Sequence, residues 1–231
     1  MPIIRDIRLR LHLDRILRRE GLPKNISPNP SIQKVILETL KNIEQGSLLS
    51  PAVAYEIFPV EKIINEVDTP IASLISGARE VAAAVCTIGN NLEMRVKNYI
   101  DINEPLSALI MDGIGSAAVD ILSEKACNII ASAASSRGYM AGSPISPGMQ
   151  GLPITNQKHL FDLIPAGEIG VTLTDSGTMI PLKSVSMIMG LGFEMKRWKR
   201  VEVCATCHLR NTCPHRLRQE GHIISGVHHQ S

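Results

Sequence analysis

The segment that most limits how this chain can fold is GYMAGSPISPGMQGLP at residues 138–153, which holds four glycines and three prolines. Proline lacks a backbone N–H and glycine weakens helices and strands, so the segment predicts an irregular connection. Long irregular connections inside compact domains are usually binding loops or disordered linkers. Because patterned sequence precedes and follows this segment, we expect a binding loop that packs against a sheet.

The sequence around the loop predicts a mixture of helices and strands. Residues 7–13 alternate between apolar and polar side chains, which is typical of a half-buried strand. Residues 79–89 are mostly small and apolar and end at a glycine, which is typical of a buried strand. We further predict helices at 31–46, from Asn91, at 105–135 and at 156–163, a connection at 47–60, and strands at 169–174, 178–181 and 183–191.

Composition favours a globular protein and argues against two kinds of partner. The chain has 231 residues, 44% hydrophobic and 20% charged, enough for one large domain or two small ones. A net charge of +2 and 3% aromatic residues argue against nucleic-acid binding. No apolar run approaches the roughly 18 residues of a membrane span, and no apolar signal-peptide core follows the start. We therefore expect a cytoplasmic protein without a membrane partner.

Several segments follow one another in the order found in one known family. They are SGAREVAAAVCTIGNNLE, MDGIGSAAVDIL, SPGMQGLPITNQKHLFDLI, IGVTLTDSGTMIP and KSVS, between residues 76 and 186. Together they resemble the activation (reactivation) domain of cobalamin-dependent methionine synthase, and more closely its stand-alone relatives. The resemblance covers most of residues 5–191. It implies an α+β fold, a C-shaped domain with a twisted antiparallel sheet and flanking helices.

The resemblance implies an accessory protein for reductive reactivation of a cobalamin-dependent methionine synthase or corrinoid methyltransferase. In this family the domain binds S-adenosylmethionine and docks on a partner that holds cobalamin. A low-potential electron donor reduces inactive cob(II)alamin, and S-adenosylmethionine methylates the product, which draws an uphill reduction forward. Two alternatives are a non-catalytic module that binds a corrinoid protein and an iron–sulfur electron carrier to cob(II)alamin.

The resemblance assigns cofactor-binding positions to the central loop. In the family this loop contacts S-adenosylmethionine partly through backbone groups, and the matching positions are Ser146 and Gly148. Glycine at such a position lets a ligand approach the main chain. The family's loop arginine and loop tyrosine fall at Pro144 and Met149. Neither residue supplies the guanidinium fork that binds a ligand carboxylate.

Other side chains are candidates for the contacts that the loop lacks. Arg137 and Tyr139 lie just upstream and would compensate if the loop folds back on them, although Arg137 equally suits the C-terminus of the preceding helix. Lys183 is a further candidate cation, and it equally suits a solvated strand. The candidate acidic residues are Asp120 and Glu124, whose spacing places them near one face of the predicted long helix.

Three cysteines cluster near the end of the sequence. Cys204, Cys207 and Cys213 have the spacing C-x2-C-x5-C, which brings thiolates within reach of one metal centre. We predict an activation-domain-like unit at 1–195, a metal-binding tail at 196–218 and a flexible tail at 219–231.

The metal at this tail is predicted to be an iron–sulfur cluster or zinc. The cluster would take a fourth ligand from Cys86, Cys127 or a partner, or have none, and zinc would take His208 or His215. Reduced free thiols in a basic segment are the alternative without a metal.

We predict that the purified chain carries a metal. Anaerobic purification followed by metal and sulfide analysis should give iron with sulfide and visible charge-transfer absorption, or stoichiometric zinc. Joint replacement of Cys204, Cys207 and Cys213 by serine should remove the metal, because thiolates are its ligands. Metal-free wild-type protein, or a triple variant that keeps its full metal content, would contradict the prediction.

Overall fold

The computed structural model describes residues 2–5, 7–11, 30–45, 48–66, 75–149, 151–198, 200–206 and 210–212. The chain forms two compact units, Met1–Arg197 and Trp198–Ser231. The first unit is a mixed α+β structure with an antiparallel sheet and flanking helices, so the predicted fold class is confirmed. The second unit contains a helix at Arg200–Thr206. The domain boundaries at 195 and 218 remain predictions.

Seven strands and five α-helices are described in the first unit. The strands are β1 (Ile3–Arg5), β2 (Ala52–Pro59), β3 (Glu80–Thr87), β4 (Met140–Ala141), β5 (Thr172–Leu173), β6 (Met179–Ile180) and β7 (Ser184–Gly192). The helices are α1 (Pro30–Glu44), α2 (Val60–Glu66), α3 (Asn91–Asp101), α4 (Pro105–Ser135) and α5 (Gln157–Leu163). The predicted helices at 31–46, from Asn91, at 105–135 and at 156–163 are confirmed, with ends that differ by at most two residues.

Five strands form one antiparallel sheet in the order β1-β2-β3-β7-β4, while β5 and β6 form a separate hairpin. The centre of the sheet is β3, which pairs over eight residues with β2 on one side and with β7 on the other. All residues of β3 after Glu80 are buried. Its run of alanine and valine is typical of a strand that is covered on both faces.

Helix α4 covers one face of the sheet. Its apolar residues share a buried cluster with alternate positions of the central strands, among them Ala82, Ala84, Met187 and Met189. Helices α3 and α1 also pack against α4. Because it has neighbours on several sides, α4 is apolar around most of its circumference.

Helix α4 has an unusually apolar composition. Within the described residues it is the one helix long and apolar enough to cross a membrane. Asp112, Asp120 and Glu124 interrupt its apolar runs, so no single run reaches the roughly 18 residues of a membrane span. Packing of α4 between the sheet and its neighbouring helices accounts for its composition.

The opposite face of the sheet is covered by the segment around α5. Ser186 of β7 lies on this face, because side chains alternate along a strand and Met187 belongs to the α4 side. The Ser186 hydroxyl donates to Oε1 of Gln157, the first residue of α5, at 3.1 Å. Ile145 and Ile188 exchange backbone hydrogen bonds of 2.9 and 2.8 Å. The central loop therefore packs against the sheet, as predicted.

The predicted connection at 47–60 is wrong, because it contains β2. Pro51 and Pro59 suggested a break in regular structure, but Pro51 precedes the strand and Pro59 is its last residue. Proline is tolerated at the ends of strands. The prolines therefore delimit β2 and do not interrupt it.

The strand predicted at 7–13 is also wrong for the residues that the structure describes. Residues 7–11 have no regular structure, residues 12 and 13 lie outside the described part, and β1 lies earlier in the chain. Ile7, Leu9 and Leu11 are half-buried against the core cluster. Burial of one side of an irregular segment thus produced the same alternation as a strand.

The strand predicted at 169–174 is shorter than expected. Residues Ala166–Ile169 form a 3-10 helix, and only Thr172–Leu173 are strand. The antiparallel partners predicted at 178–181 and 183–191 contain β6 and β7, but β6 pairs with β5 whereas β7 pairs with β3 and β4.

The end of β7 supplies a test of packing. A Cβ atom at Gly192 would meet the backbone oxygen of Gly77 and lie 3.2 Å from Cα of Ala78. We predict that Gly192→Ala lowers the free energy of unfolding by about 1–3 kcal/mol, because backbone atoms must shift. Urea unfolding followed by circular dichroism measures the change.

The matched control for this prediction is Gly167→Ala, because nothing lies within 4 Å of a Cβ atom at Gly167. We expect it to change the free energy of unfolding by less than about 0.5 kcal/mol. Equal effects of the two substitutions would contradict the packing interpretation.

Candidate functional site

A cavity of about 320 Å³ lies where the central loop meets the β5–β6 hairpin and β7. This volume is at the lower end of the range of about 300–1,000 Å³ that small-molecule sites have. The lining residues come from the loop, the start of α5, the hairpin and the start of β7: Ser146, Pro147, Ile154, Gln157, Ser176, Gly177, Thr178, Met179, Leu182, Val185 and Ser186. The structure thus places Ser146, one of the predicted cofactor-binding residues, at a cavity.

The loop that lines the cavity is stabilised by its own backbone hydrogen bonds. The N–H of Gly148 donates to the carbonyl of Leu152 at 2.8 Å, and the N–H of Met149 donates to the carbonyl of Ser146 at 3.0 Å. Gly148 has a φ of +92°, which residues with a Cβ atom rarely adopt. Glycine is therefore required at 148 by the conformation of the main chain, and Gly148 itself does not line the cavity among the described residues.

Met149, which stands where the family has tyrosine, folds back on the loop. Its Sδ atom lies 3.3 Å from the backbone nitrogen of Ser146, in position to accept that N–H. A thioether is a weak acceptor, but it satisfies a donor at the edge of the cavity. The side chain thus closes the loop on itself.

Buried polar groups shape the wall formed by β7. Ser186 and Gln157 are 2% and 3% exposed, and the hydrogen bond between them orients the Gln157 amide. Ser184 donates to the carbonyl of Pro181 at 2.7 Å and lies 2.9 Å from the hydroxyl of Thr87. These bonds compensate for the burial of each hydroxyl, and they position the start of β7 beside the cavity.

Lys183 points away from the cavity, although its neighbour Leu182 lines it. Its Nζ atom lies 2.7 Å from Oδ1 of Asp112 and 2.9 Å from Oγ of Ser116, both on α4. Its backbone N–H donates to Oε1 of Glu93 on α3 at 2.7 Å. With a side chain that is 14% exposed, Lys183 joins the segment before β7 to two helices. It is neither a solvated strand residue nor a lining residue of the cavity.

Arg137 and Tyr139 lie on the other face of the sheet from Ser186. Nη1 of Arg137 is 2.9 Å from Oε2 of Glu80, and its Nε donates to the carbonyl of Ala133 at the end of α4. Glu80 pairs with Leu191, five positions along β7 from Ser186, which is roughly 16 Å at strand spacing. The structure therefore does not bring Arg137 to the cavity of the central loop. Instead, Arg137 interacts with the C-terminal end of α4, which is the alternative role that the sequence suggested.

The aromatic and acidic candidates also have other neighbours. Tyr139 stacks edge to face on Phe193 with ring centroids 5.1 Å apart and packs against the α4 core cluster. Asp120 and Glu124 belong to α4 and are not among the residues that line the cavity. Ligand contacts by Arg137 and Tyr139 accordingly remain predictions that this arrangement does not favour.

The two core cysteines have thiols whose pKa values are raised by burial. Burial, with a smaller contribution from Cys127, raises the pKa of the Cys86 thiol. Burial also raises the pKa of Cys127 to about 11, and its Sγ atom lies 3.6 Å from Sδ of Met187. Burial thus favours the protonated thiol at both positions. A fourth cluster ligand from Cys86 or Cys127 stays a prediction.

The cysteine-rich tail is described only in part. Cys204 lies in the helix at Arg200–Thr206, while Cys207 and Cys213 lie outside the described residues. Among the residues that are described, no group of three or more potential metal ligands occurs. The metal site at Cys204, Cys207 and Cys213 remains a prediction.

Sequence reasoning did not identify most of the residues that line the cavity. The sequence predicts Gln157 in a short helix and Thr178 at the start of a strand, and no local pattern distinguishes these two residues or Ser176 from other polar residues. The available signal was the set of motifs itself, because the loop, the hairpin and the KSVS segment each contribute to the wall.

The attachment of Lys183 can be tested by unfolding. We predict that Asp112→Ala lowers the free energy of unfolding by about 1–2 kcal/mol, because it leaves a largely buried ammonium without its carboxylate. The loss is limited because the Asp112 side chain is 51% exposed and water screens the pair. Urea unfolding of Asp112→Ala, Lys183→Met and the double variant gives the coupling between the two residues.

The control pair is Lys34 and Glu38 on α1, which are 3.9 Å apart with side chains 75% and 63% exposed. Removal of Glu38 should change the free energy of unfolding by less than about 0.5 kcal/mol. If Asp112→Ala and Glu38→Ala had the same effect, Lys183 would not be an anchor.

No protein-family model and no curated protein matches the chain. Among solved structures, the crystal structure of the MetH reactivation domain bound to AdoHcy is similar to it. The TM-score is 0.55 and the sequence identity is 13%, over 79% of this chain and 70% of that one. At this identity the likeness shows a shared fold, and it confirms at that level the resemblance found in the sequence motifs.

Proposed function

We propose that this chain is an accessory protein for the reductive reactivation of a cobalamin-dependent methionine synthase or corrinoid methyltransferase, and that its cavity binds S-adenosylmethionine. One observation carries the proposal. Three segments that resemble the family in sequence line one cavity: the loop at Ser146, the hairpin at Ser176 and the strand at Ser186. A domain of similar fold was crystallised with AdoHcy, which is what S-adenosylmethionine becomes when it loses its methyl group, and this supports a ligand of that class.

The residues of this chain would bind and orient the ligand. The hydroxyls of Ser146, Ser176 and Thr178 and the amide of Gln157 offer hydrogen bonds, and the exposed side chains of Ile154 and Leu182 offer apolar contact. In the proposed reaction a donor supplies one electron to the partner's cob(II)alamin, and the methyl group passes from sulfur to the reduced cobalt, leaving S-adenosylhomocysteine. The contribution of the chain is proximity and orientation of two cofactors.

The partner would be a corrinoid-binding protein that approaches the mouth of the cavity. Ile154, Ile180 and Leu182 are 54%, 49% and 64% exposed, and exposed apolar side chains around a pocket are typical of an interaction surface. A low-potential donor would supply the electron. The cysteine-rich tail would hold its iron–sulfur cluster or zinc through Cys204, Cys207 and Cys213, and a cluster there would make the chain itself an electron carrier.

A non-catalytic module that binds a corrinoid protein is the second candidate. It is favoured by Pro144 and Met149, which replace the family's arginine and tyrosine, and by the sulfur of Met149 that occupies the Ser146 amide. In this case the chain associates with its partner without S-adenosylmethionine.

The test measures remethylation of a corrinoid protein in its cob(II)alamin form, with the full chain, S-adenosylmethionine and a low-potential one-electron reductant. The visible spectrum reports formation of methylcobalamin, and we expect the chain to accelerate it. Binding to the corrinoid protein without acceleration would support the non-catalytic module, and neither binding nor acceleration would refute both candidates.

A matched pair of variants tests the surface around the cavity. Leu182 and Leu109 are 64% and 63% exposed, and only Leu182 lines the cavity. We predict that Leu182→Asp lowers the rate of remethylation about tenfold because it removes apolar contact at the site, while Leu109→Asp on α4 changes it less than about twofold. Equal losses would show that the cavity is not the site.

A further inference from the structure

We propose that the cavity recognises the nucleoside part of its ligand through neutral groups and forms no ion pair with an amino-acid part. This inference rests on the proposed function and narrows it, because S-adenosylmethionine carries both parts. It assigns the ligand class of this chain as adenine nucleosides with a sulfur substituent at the 5′ position, bound through the uncharged nucleoside part, with the amino-acid part left in solvent. Three sets of observations support it.

The first is the wall of the cavity. In the part of the chain that is described, the eleven lining residues are all uncharged. They combine hydroxyl and amide groups, which suit the hydroxyls of a ribose, with the half-exposed side chains of Ile154 and Leu182, which suit a flat heteroaromatic ring. A ligand carboxylate or ammonium would meet no opposite charge on this wall.

The second is the position of the cations that the sequence offered as partners for a ligand carboxylate. Lys183 directly follows Leu182, but its ammonium is bound to Asp112 and Ser116 on the α4 side of the sheet. Arg137 is bound to Glu80 on that same side. Pro144 stands where the family has an arginine, so the loop itself contributes no guanidinium.

The third is the backbone of the loop, which in other proteins can bind a carboxylate through free N–H groups. Here the N–H of Ser146 faces the sulfur of Met149, and Pro147 has no N–H. The N–H groups of Gly148 and Met149 donate to the carbonyls of Leu152 and Ser146. Each backbone N–H from 146 to 149 is thus occupied within the loop. A ligand carboxylate would have to displace one of these bonds to bind the main chain.

The experiment compares three compounds by calorimetric titration of the full chain: S-adenosylhomocysteine, 5′-methylthioadenosine, which lacks the amino-acid part, and methionine. We expect Kd values for the two nucleosides within about threefold of each other and no binding of methionine. Affinity should change less than about twofold between roughly 0.05 and 0.5 M salt, because screening acts on charged contacts.

Tighter binding of S-adenosylhomocysteine by tenfold or more, with loss at high salt, would overturn the inference and leave the proposed function intact. If neither nucleoside binds, the inference fails together with S-adenosylmethionine binding at this cavity, and the remethylation assay then decides between the two candidate functions.

One substitution tests whether the ligand lies in the cavity. Thr178→Val removes a hydroxyl but keeps the shape of the side chain and the backbone N–H that donates to Oγ1 of Thr174. We expect it to weaken the binding of both nucleosides by about three- to tenfold. An unchanged affinity would place the ligand elsewhere.

A second substitution tests the role of Met149. Met149→Ala frees the Ser146 amide, so S-adenosylhomocysteine should gain affinity relative to 5′-methylthioadenosine. An unchanged ratio of the two affinities would overturn the role given to Met149.

Discussion

The pairing of β3 with β7 is the interaction on which the rest of the structure depends. Over eight residue pairs it joins segments that are 97 positions apart at Thr87 and Ser184. It thereby brings the strand of the segment SGAREVAAAVCTIGNNLE beside the strand of the segment KSVS. Closing so long a loop is costly in entropy, and the nearly complete burial of both strands offsets that cost. Side-chain alternation along this pair then sends neighbouring residues to opposite faces of the sheet.

The two faces of the sheet contact different groups as a result. On the α4 side, Lys183 is paired with Asp112 and Arg137 with Glu80, and pairing lowers the cost of burying a charge. On the α5 side, the neutral residues Ser186 and Gln157 satisfy each other. Both of them line the cavity, so its ligand chemistry depends on which face of the sheet each residue occupies.

Local pattern predicted the elements whose own residues carry a clear signal. Helix α4 follows from a proline at its start and a long segment that contains no other proline, and β3 follows from a continuous small apolar run. Prediction was wrong for β2, where two prolines lie at the ends of a strand, and at 7–11, where Ile7, Leu9 and Leu11 rest on the core without pairing. In both cases the deciding contact is with a segment far along the chain, which a local pattern does not contain.

The sequence by itself predicted that residues 138–153 are irregular. Through its resemblance to the methionine synthase activation domain it also predicted an α+β fold, with proline and methionine at 144 and 149 where that family has arginine and tyrosine. It also has a glycine at 148, where the main chain takes a positive φ that other residues rarely adopt. Only the tertiary structure decided that the loop, the hairpin and β7 enclose one cavity, and that Arg137 and Lys183 are bound on the other side of the sheet. The physical reason is that strand register and alternation, established between segments about a hundred residues apart, decide which side chains meet.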